Sequence, residues 1–185
     1  MTLTYDRQIA ISEGDNRKSL KWLMVDTDIS ALYSRFEKPI RGTETMTAYL
    51  AMSKAEQDSR KDIGGFVGGR LNGPRRKRDN VVSRCIVTLD MDTIPPYGTD
   101  KVIAKLDQLG CGYAVYSTRK HRPEAPRLRI VIVTDRDMSP DEYDAVSRRI
   151  AAIIGIEMIS GQTPQTALWP RSRSPIIGKS PSATR

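Results

Sequence analysis

The chain contains 185 residues, and its 30 Lys and Arg against 22 Asp and Glu give a formal net charge of +8. This length fits one domain, or one domain with an arm. A hydrophobic share of 38% is enough for a packed core and excludes a wholly disordered chain. The longest apolar run, at residues 150–156, is shorter than the roughly 20 residues that cross a bilayer, and no charged and apolar leader opens the sequence. We therefore expect a cytoplasmic protein that makes no contact with a membrane.

The two cysteines, Cys85 and Cys111, lie far apart in apolar contexts. They have neither the paired spacing of a zinc site nor that of a disulfide framework. We expect both to be buried thiols.

Positive charge is concentrated in a loop and in the tail. Residues 81–159 carry 11 basic and 11 acidic side chains, whereas residues 160–185 carry four basic side chains and no acidic one. Within the first 80 residues, a turn rich in Gly and Pro carries a basic cluster made of Arg75, Arg76, Lys77 and Arg78. A basic loop and a basic, Ser- and Pro-rich tail indicate a polyanion such as nucleic acid, but charge that only keeps a protein soluble has the same pattern.

The first 80 residues predict few elements. Residues 43–52 are typical of a helix with Thr43 as its cap. The glycine pairs of segment 64–69 resemble a phosphate cradle, but no Gly-Lys-Ser or Gly-Lys-Thr follows them. We therefore favour a short strand or bend that passes close to other backbone.

The second half predicts a clear order of strand, helix, strand, strand, helix and strand. The elements are a strand at 82–89, a helix at 99–109 ended by Gly110, strands at 112–118 and 127–134, a helix from Ser139 through Ile150 or beyond, and a short strand near 166–169. This order predicts an α+β fold with an RRM-like split β-α-β sheet, which has its helices on one face and the other face free for a ligand. We divide the chain into an N-terminal α/β extension (1–80), an RRM-like core (81–170) and a mobile basic tail (171–185).

Strand alternation predicts which side chains reach the free face. Asp90 and Asp92 share one face, and Arg127 and Arg129 lie on the corresponding face of the third strand. If these strands are antiparallel neighbours, two arginines face two aspartates. Carboxylates two residues apart at a strand end suit Mg²⁺ or Mn²⁺, although the pair also fits a plain strand end before the turn at Pro95.

Further donors follow the second strand of the core. Ser117, Arg119 and His121 alternate onto one face, so donors for phosphate gather near the aspartates. His121 is the only histidine and lies in a basic, polar hairpin. A lone histidine is more often a surface or packing residue, so its part in the site stays open at this point.

Four segments together resemble a known family. Residues 61–69, 89–92, 116–129 and 139–143 are similar to the N-terminal primase-polymerase domain of phage and plasmid replication proteins, within the archaeo-eukaryotic primase superfamily. The resemblance spans about residues 15–158. In that family the domain usually precedes a helicase of the virulence-associated-E type, so the resemblance implies a replicative helicase as a partner in cis or in trans, and a bacterial host cell.

The resemblance also implies roles for individual residues. Asp90 and Asp92 would bind the metal, and the Ser-x-His element would begin at Ser117. Arg119 stands where that element has its histidine, so His121 would serve as the catalytic histidine. Glu157 is the one acid near the position of the family's third carboxylate. The triphosphate of the incoming nucleotide would be held by Ser117, Arg119, Lys120, Arg127 and Arg129.

Three functions remain open from the sequence. The first is metal-dependent, template-directed nucleotidyl transfer that uses nucleoside triphosphates on a single-stranded DNA template held by the basic loop. The second is a catalytically weak or inactive relative that binds nucleic acid or nucleotide through its basic loop and tail. The third is a metal-dependent nuclease, which the aspartate pair could support but which the arginine-rich hairpin and the overall resemblance disfavour.

Overall fold

The computed structural model of the protein describes residues 3–155, 167–168 and 176–178. Within these residues the chain is a mixture of helices and strands. The strands are β1 (Gln8–Gly14), β2 (Leu23–Asp28), β3 (Gly65–Gly68), β4 (Arg84–Met91), β5 (Tyr113–Ser117), β6 (Leu128–Met138), β7 (Ala167–Leu168) and β8 (Ile176–Gly178). The helices are α1 (Ile29–Phe36), α2 (Met46–Ala51), α3 (Lys54–Lys61), α4 (Thr99–Asp107) and α5 (Pro140–Ile154).

The strands form two antiparallel sheets, with the orders β2-β1-β3-β7 and β4-β6-β5-β8. The predicted α+β class is therefore confirmed. The predicted elements of the second half are present, and β6 lies between β4 and β5 as a split β-α-β sheet requires. The boundaries that divide the chain at residues 80 and 170 stay a prediction. The tail contributes the short strand β8, which pairs with β5.

The fourth strand of the predicted sheet is misplaced. The expected strand near 166–169 is β7, but it pairs with β3 of the other sheet and not with β4. The edge of β4 is approached instead by the chain that leads into it. The backbone N–H of Arg70 donates to the Ser83 carbonyl, and Arg84 Nε donates to the Gly68 carbonyl at 3.0 Å. These two bonds hold the end of β3 and the residues that follow it against the start of β4.

Helices α4 and α5 pack on one face of the second sheet, as expected. Alternate residues of β4, Val87, Leu89 and Met91, point into this core with Val115 and Ile130 of the neighbouring strands. Burial of these side chains, which are 8% exposed or less, is the main force that holds the helices to the sheet. The alternation predicted for β4 is therefore confirmed.

The opposite face of this sheet is covered, so the prediction of a free face is wrong over most of its area. Ile86, Ala114, Tyr116 and Val131 of that face are buried against the N-terminal residues. The covering side chains come from β1, α1 and β3 and are Ile9, Ile11, Ile29, Leu32, Tyr33, Phe36 and Phe66. The physical reason is that an apolar sheet face must be buried, and only its polar end, where β4 stops, is left open.

The glycine-rich segment is the short strand that we favoured over a nucleotide loop. A Cβ at Gly68 would lie 2.3 Å from the Ile86 Cβ, and one at Gly69 would lie 1.9 Å from the Ser83 carbonyl oxygen. These glycines therefore permit the close approach of β3 to β4.

Helix ends follow local sequence signals. Ser139 and Glu142 form a capping box at α5, and Gly110 has a φ of 67° just after α4. The expected cap at Thr43 is wrong. Helix α2 begins later, and the Thr45 hydroxyl accepts from the Ala48 N–H. Because Thr45 lies next to the first helical residue, it has the geometry of a cap and Thr43 does not.

The cysteine prediction is confirmed for Cys85, whose side chain is fully buried, and burial raises the pKa of its thiol to about 11. Cys111 is only half-buried and packs against the helix-covered core. No helix in the described part of the chain is long and apolar enough to cross a bilayer.

Candidate functional site

The site lies at the open end of the second sheet, where β4 stops and β6 begins. The antiparallel register places Asp90 opposite Arg129. Arg129 donates from Nε to Asp90 Oδ1 at 2.6 Å and from Nη2 to Asp90 Oδ2 at 2.9 Å. A planar guanidinium that grips both oxygens of a carboxylate makes one of the stronger ion pairs in proteins. The Asp90 side chain is 38% exposed and the Arg129 side chain 11%, so the pair stands at the boundary between core and solvent.

Tyr116 extends this pair into the covered face of the sheet. It lies opposite Arg129 in the β5–β6 register, and their side chains share a hydrogen bond. Burial raises the pKa of Tyr116 to about 12. Burial would lower the pKa of Arg129, but Tyr116 and Asp90 together raise it above its ordinary value. Arg129 is therefore a permanent cation, held on its buried side by Tyr116 and on its solvent side by Asp90.

Asp92 and Arg127 form a second, more exposed pair. Arg127 Nη1 lies 3.5 Å from Asp92 Oδ1, and the two side chains are 39% and 57% exposed. At this distance and exposure the attraction is weak and both groups remain accessible to a ligand. The expected arrangement of two arginines facing two aspartates is present.

The hairpin between β5 and β6 carries His121. The His121 backbone N–H donates to the Thr118 carbonyl, and the Thr118 N–H donates to the Arg127 carbonyl. The imidazole Nδ1 accepts from the Arg127 backbone N–H at 3.2 Å. In the neutral ring the proton is therefore on Nε2. This bond holds the ring beside the start of β6, next to the residue that pairs with Asp92.

Arg119 does not join the aspartates. Its Nη2 lies 2.7 Å from Glu44 Oε1, and its guanidinium stacks 4.6 Å from the centre of the Tyr49 ring. The Arg119 and Glu44 side chains are only 13% and 11% exposed. Arg119 thus fastens the hairpin to α2 and its preceding loop, whereas the sequence predicted a group that binds phosphate.

Ser117 also departs from its expected position. It lies opposite Leu128 in the register, so alternation puts its side chain on the helix-covered side of the sheet with Val115. Lys120 lies in the hairpin turn and is partly exposed. Of the five residues predicted to hold triphosphate, Arg127 and Arg129 form ion pairs with the aspartates within the described part of the chain.

The basic loop lies at the other end of β4. It belongs to the connection that enters β4 at Arg84, six residues before Asp90, which corresponds to about 20 Å of extended strand. Arg76 stacks over Trp22 at 5.4 Å, and Arg78 lies 3.5 Å from Asp144 of α5. The structure therefore does not bring the loop together with the aspartates.

The acidic pair fits half of a site for a hard cation. Asp90 and Asp92 supply carboxylate oxygens at an exposed strand end, which is the donor type that Mg²⁺ and Mn²⁺ prefer. Within residues 3–155, 167–168 and 176–178, however, no group of three His, Cys, Asp or Glu side chains could hold a metal ion. Glu157 lies outside the described residues. Both Asp90 oxygens accept one hydrogen bond from Arg129, so a cation at Asp90 would share this carboxylate with the guanidinium.

Three residues of this region were missed from the sequence. Tyr116 lies on the same face of the sheet as Asp90, and the alternation of side chains along β5 would have predicted this position. Glu44 and Tyr49 come from a different part of the chain, and nothing in their local pattern indicates that they contact Arg119.

The fold and the site define an α+β domain of two antiparallel sheets with an acidic strand end facing arginines. The family model described as the VapE N-terminal domain matches residues 1–174, and the chain therefore belongs to that family. Membership associates the chain with the replication proteins of phages and plasmids. No curated protein and no solved structure gives a significant match to the chain.

Proposed function

We propose that the chain is a primase-polymerase domain, which carries out metal-dependent, template-directed nucleotidyl transfer on single-stranded DNA with nucleoside triphosphates. The observation that carries the proposal is the juxtaposition of Asp90 and Asp92 with Arg127 and Arg129 at one open strand end. Such an end combines cation ligands with donors for phosphate, and both are needed to join a nucleotide to a 3′ hydroxyl with release of pyrophosphate.

In this proposal the chain's own residues position the reactants. Asp90 and Asp92 would hold Mg²⁺ or Mn²⁺, which supplies positive charge for the attacking hydroxyl and the triphosphate. Arg127, which is exposed and only weakly paired, is the nearest donor for a phosphate oxygen. Arg129 is fixed by Tyr116 and offers its charge at the base of the site. The hydrogen bond to the Arg127 backbone orients the His121 ring beside the same strand.

A catalytically inactive module that binds nucleic acid or nucleotide is the second candidate. It is favoured by one observation, that both oxygens of Asp90 are engaged by Arg129. It is also compatible with the lack of a three-residue metal cluster among the described residues. In either case we also propose, from the resemblance described above, that a replicative helicase is the partner, joined to this domain or separate from it.

Primer synthesis and extension on single-stranded DNA with Mg²⁺ or Mn²⁺ distinguishes the two candidates. We expect the wild type to make product and the double variant Asp90→Ala with Asp92→Ala to make none while still binding DNA. The matched control is Asp135→Ala with Asp141→Ala, which removes two exposed carboxylates elsewhere and should keep activity. A wild type that binds DNA but makes no product at any metal concentration would contradict the polymerase proposal and favour the inactive module.

A further inference from the structure

Two loops on the N-terminal sheet lie side by side. One connects β1 to β2, and the other belongs to the connection from β3 to β4. The Trp22 backbone N–H donates to the Pro74 carbonyl at 2.8 Å, and Arg76 Nη2 donates to the Arg17 carbonyl at 3.2 Å. Because these bonds join the loops at two places, residues 18–21 lie next to the predicted basic cluster.

Arg76 acts as the anchor of this arrangement. Its guanidinium stacks over Trp22, and Trp22 itself is 4% exposed and packs over Gly14, where a Cβ would lie 2.7 Å from the ring. Cation–π stacking on a buried indole fixes the loop that carries the remaining cations. Asn80 Nδ2 adds a hydrogen bond to the Arg75 carbonyl at 2.8 Å. These contacts hold the two loops in place, so the side chains that point to solvent have fixed backbone positions.

The charge of this surface is strongly positive. Segments 15–21 and 75–79 together carry seven basic and two acidic side chains. Arg17 is neutralised by Asp58 and Asp62, and Arg78 by Asp144. Among the residues that the structure describes, no carboxylate forms an ion pair with the four exposed cations Lys18, Lys21, Arg75 and Lys77. We call these four residues the two-loop surface.

We propose that the two-loop surface binds the phosphate backbone of single-stranded DNA. In this proposal Lys18 and Lys21 contact the DNA as well as the cations of the basic loop. Unpaired ammonium and guanidinium groups on a fixed support are suited to successive phosphates, and they release counterions when they bind. The inference rests on the proposed function in taking single-stranded DNA as the polyanion. It deepens that function because it places the DNA contact on the connection that enters β4, about 20 Å along the strand from Asp90.

The salt dependence of DNA binding tests the surface. Two double variants, Lys18→Ala with Lys21→Ala and Arg75→Ala with Lys77→Ala, each remove two cations, while Lys101→Ala with Arg149→Ala removes two exposed cations from α4 and α5. Anisotropy of a labelled single-stranded oligonucleotide gives the affinity at several salt concentrations. Each single-strand phosphate contact contributes about 0.7 to the slope of log affinity against log salt. We therefore expect each surface variant to lose about 1.4 of slope and roughly 25-fold in affinity at 0.1 M salt, relative to equal binding at 1 M.

The control variant should bind nearly as the wild type does, and thermal unfolding should show that all three variants are folded. A wild type that binds no single-stranded DNA, or surface variants that bind like the control, would overturn the inference. If only Arg75→Ala with Lys77→Ala weakens binding, the part assigned to Lys18 and Lys21 is wrong. Failure of the polymerase proposal has a different signature, since DNA binding with the expected salt dependence would persist while no primer is made.

Discussion

At the scale of single residues, Arg129 is the centre of the candidate site. It links a buried tyrosine to an aspartate at the surface, and it does so through two hydrogen bonds to Asp90 and one shared with Tyr116. An arginine in this position has two consequences. It stabilises the open end of the sheet, and it places a positive charge beside any cation that Asp90 would hold.

Replacing Arg129 with Ala should lower the stability of the fold. The change leaves Tyr116 without its partner and Asp90 without compensation, although Asp90 keeps some contact with water. We expect a loss of about 2 kcal/mol in the free energy of unfolding, measured by urea denaturation. Arg127→Ala is the matched control, because its exposed pair with Asp92 should contribute less than about 1 kcal/mol. Equal losses in the two variants would contradict the central position given to Arg129.

At the scale of elements, α5 shows how sequence signals fix a helix at the end of a strand. Strand β6 ends at Met138, and α5 begins within two residues at Pro140. Glu142 closes the capping box by accepting from the Ser139 N–H at 2.8 Å, and it pairs with Arg136 at the same distance. The Glu142 carboxylate therefore joins the end of β6 to the first turn of α5.

Glu142 should make the free energy of unfolding depend on pH in the acidic range. Its bonds to Arg136 and to the Ser139 backbone lower the pKa of its carboxyl from 4.5 to about 2. A lowered pKa means that the carboxylate stabilises the folded state above pH 4.5 and that this contribution is lost as the pH falls towards 2. We expect the stability of the wild type to fall more steeply over this range than that of Glu142→Gln, which can still form a capping box.

Urea denaturation between pH 2 and pH 6 measures this difference. The control is Asp141→Asn, which removes an exposed carboxylate from the same helical turn. Parallel curves for the wild type and Glu142→Gln would show that the pair with Arg136 contributes nothing to folding.

At the scale of the whole molecule, the two sheets share a core. Phe36 of α1 contacts both Phe66 of β3 and Tyr116 of β5, with ring centres 5.8 Å and 5.2 Å away. The N-terminal residues thereby cover the face of the second sheet and leave only its acidic end open. This packing explains why an end of the sheet, and not a whole face, is available for a ligand.

Sequence reasoning predicted the parts that depend on local pattern. The strand alternation around Asp90, the register that brings Arg129 to it and the helix start at Ser139 follow from spacing and from antiparallel geometry. The partners of Arg119 could not be predicted in this way, because Glu44 is 75 positions away along the chain. The prediction that β7 joins the second sheet was wrong for the same reason, because a two-residue strand does not encode which sheet edge it pairs with.

The metal affinity of the acidic strand end is the most direct test of the proposed nucleotidyl transfer, because that reaction depends on it. Binding of Mn²⁺ can be measured without nucleotide from the loss of the free ion's paramagnetic resonance signal as the protein is added. We expect that the wild type binds the ion, that Asp90→Asn with Asp92→Asn does not, and that the control Asp135→Asn with Asp141→Asn binds like the wild type. Equal binding by the Asp90 and Asp92 double variant, or none by the wild type, would contradict it.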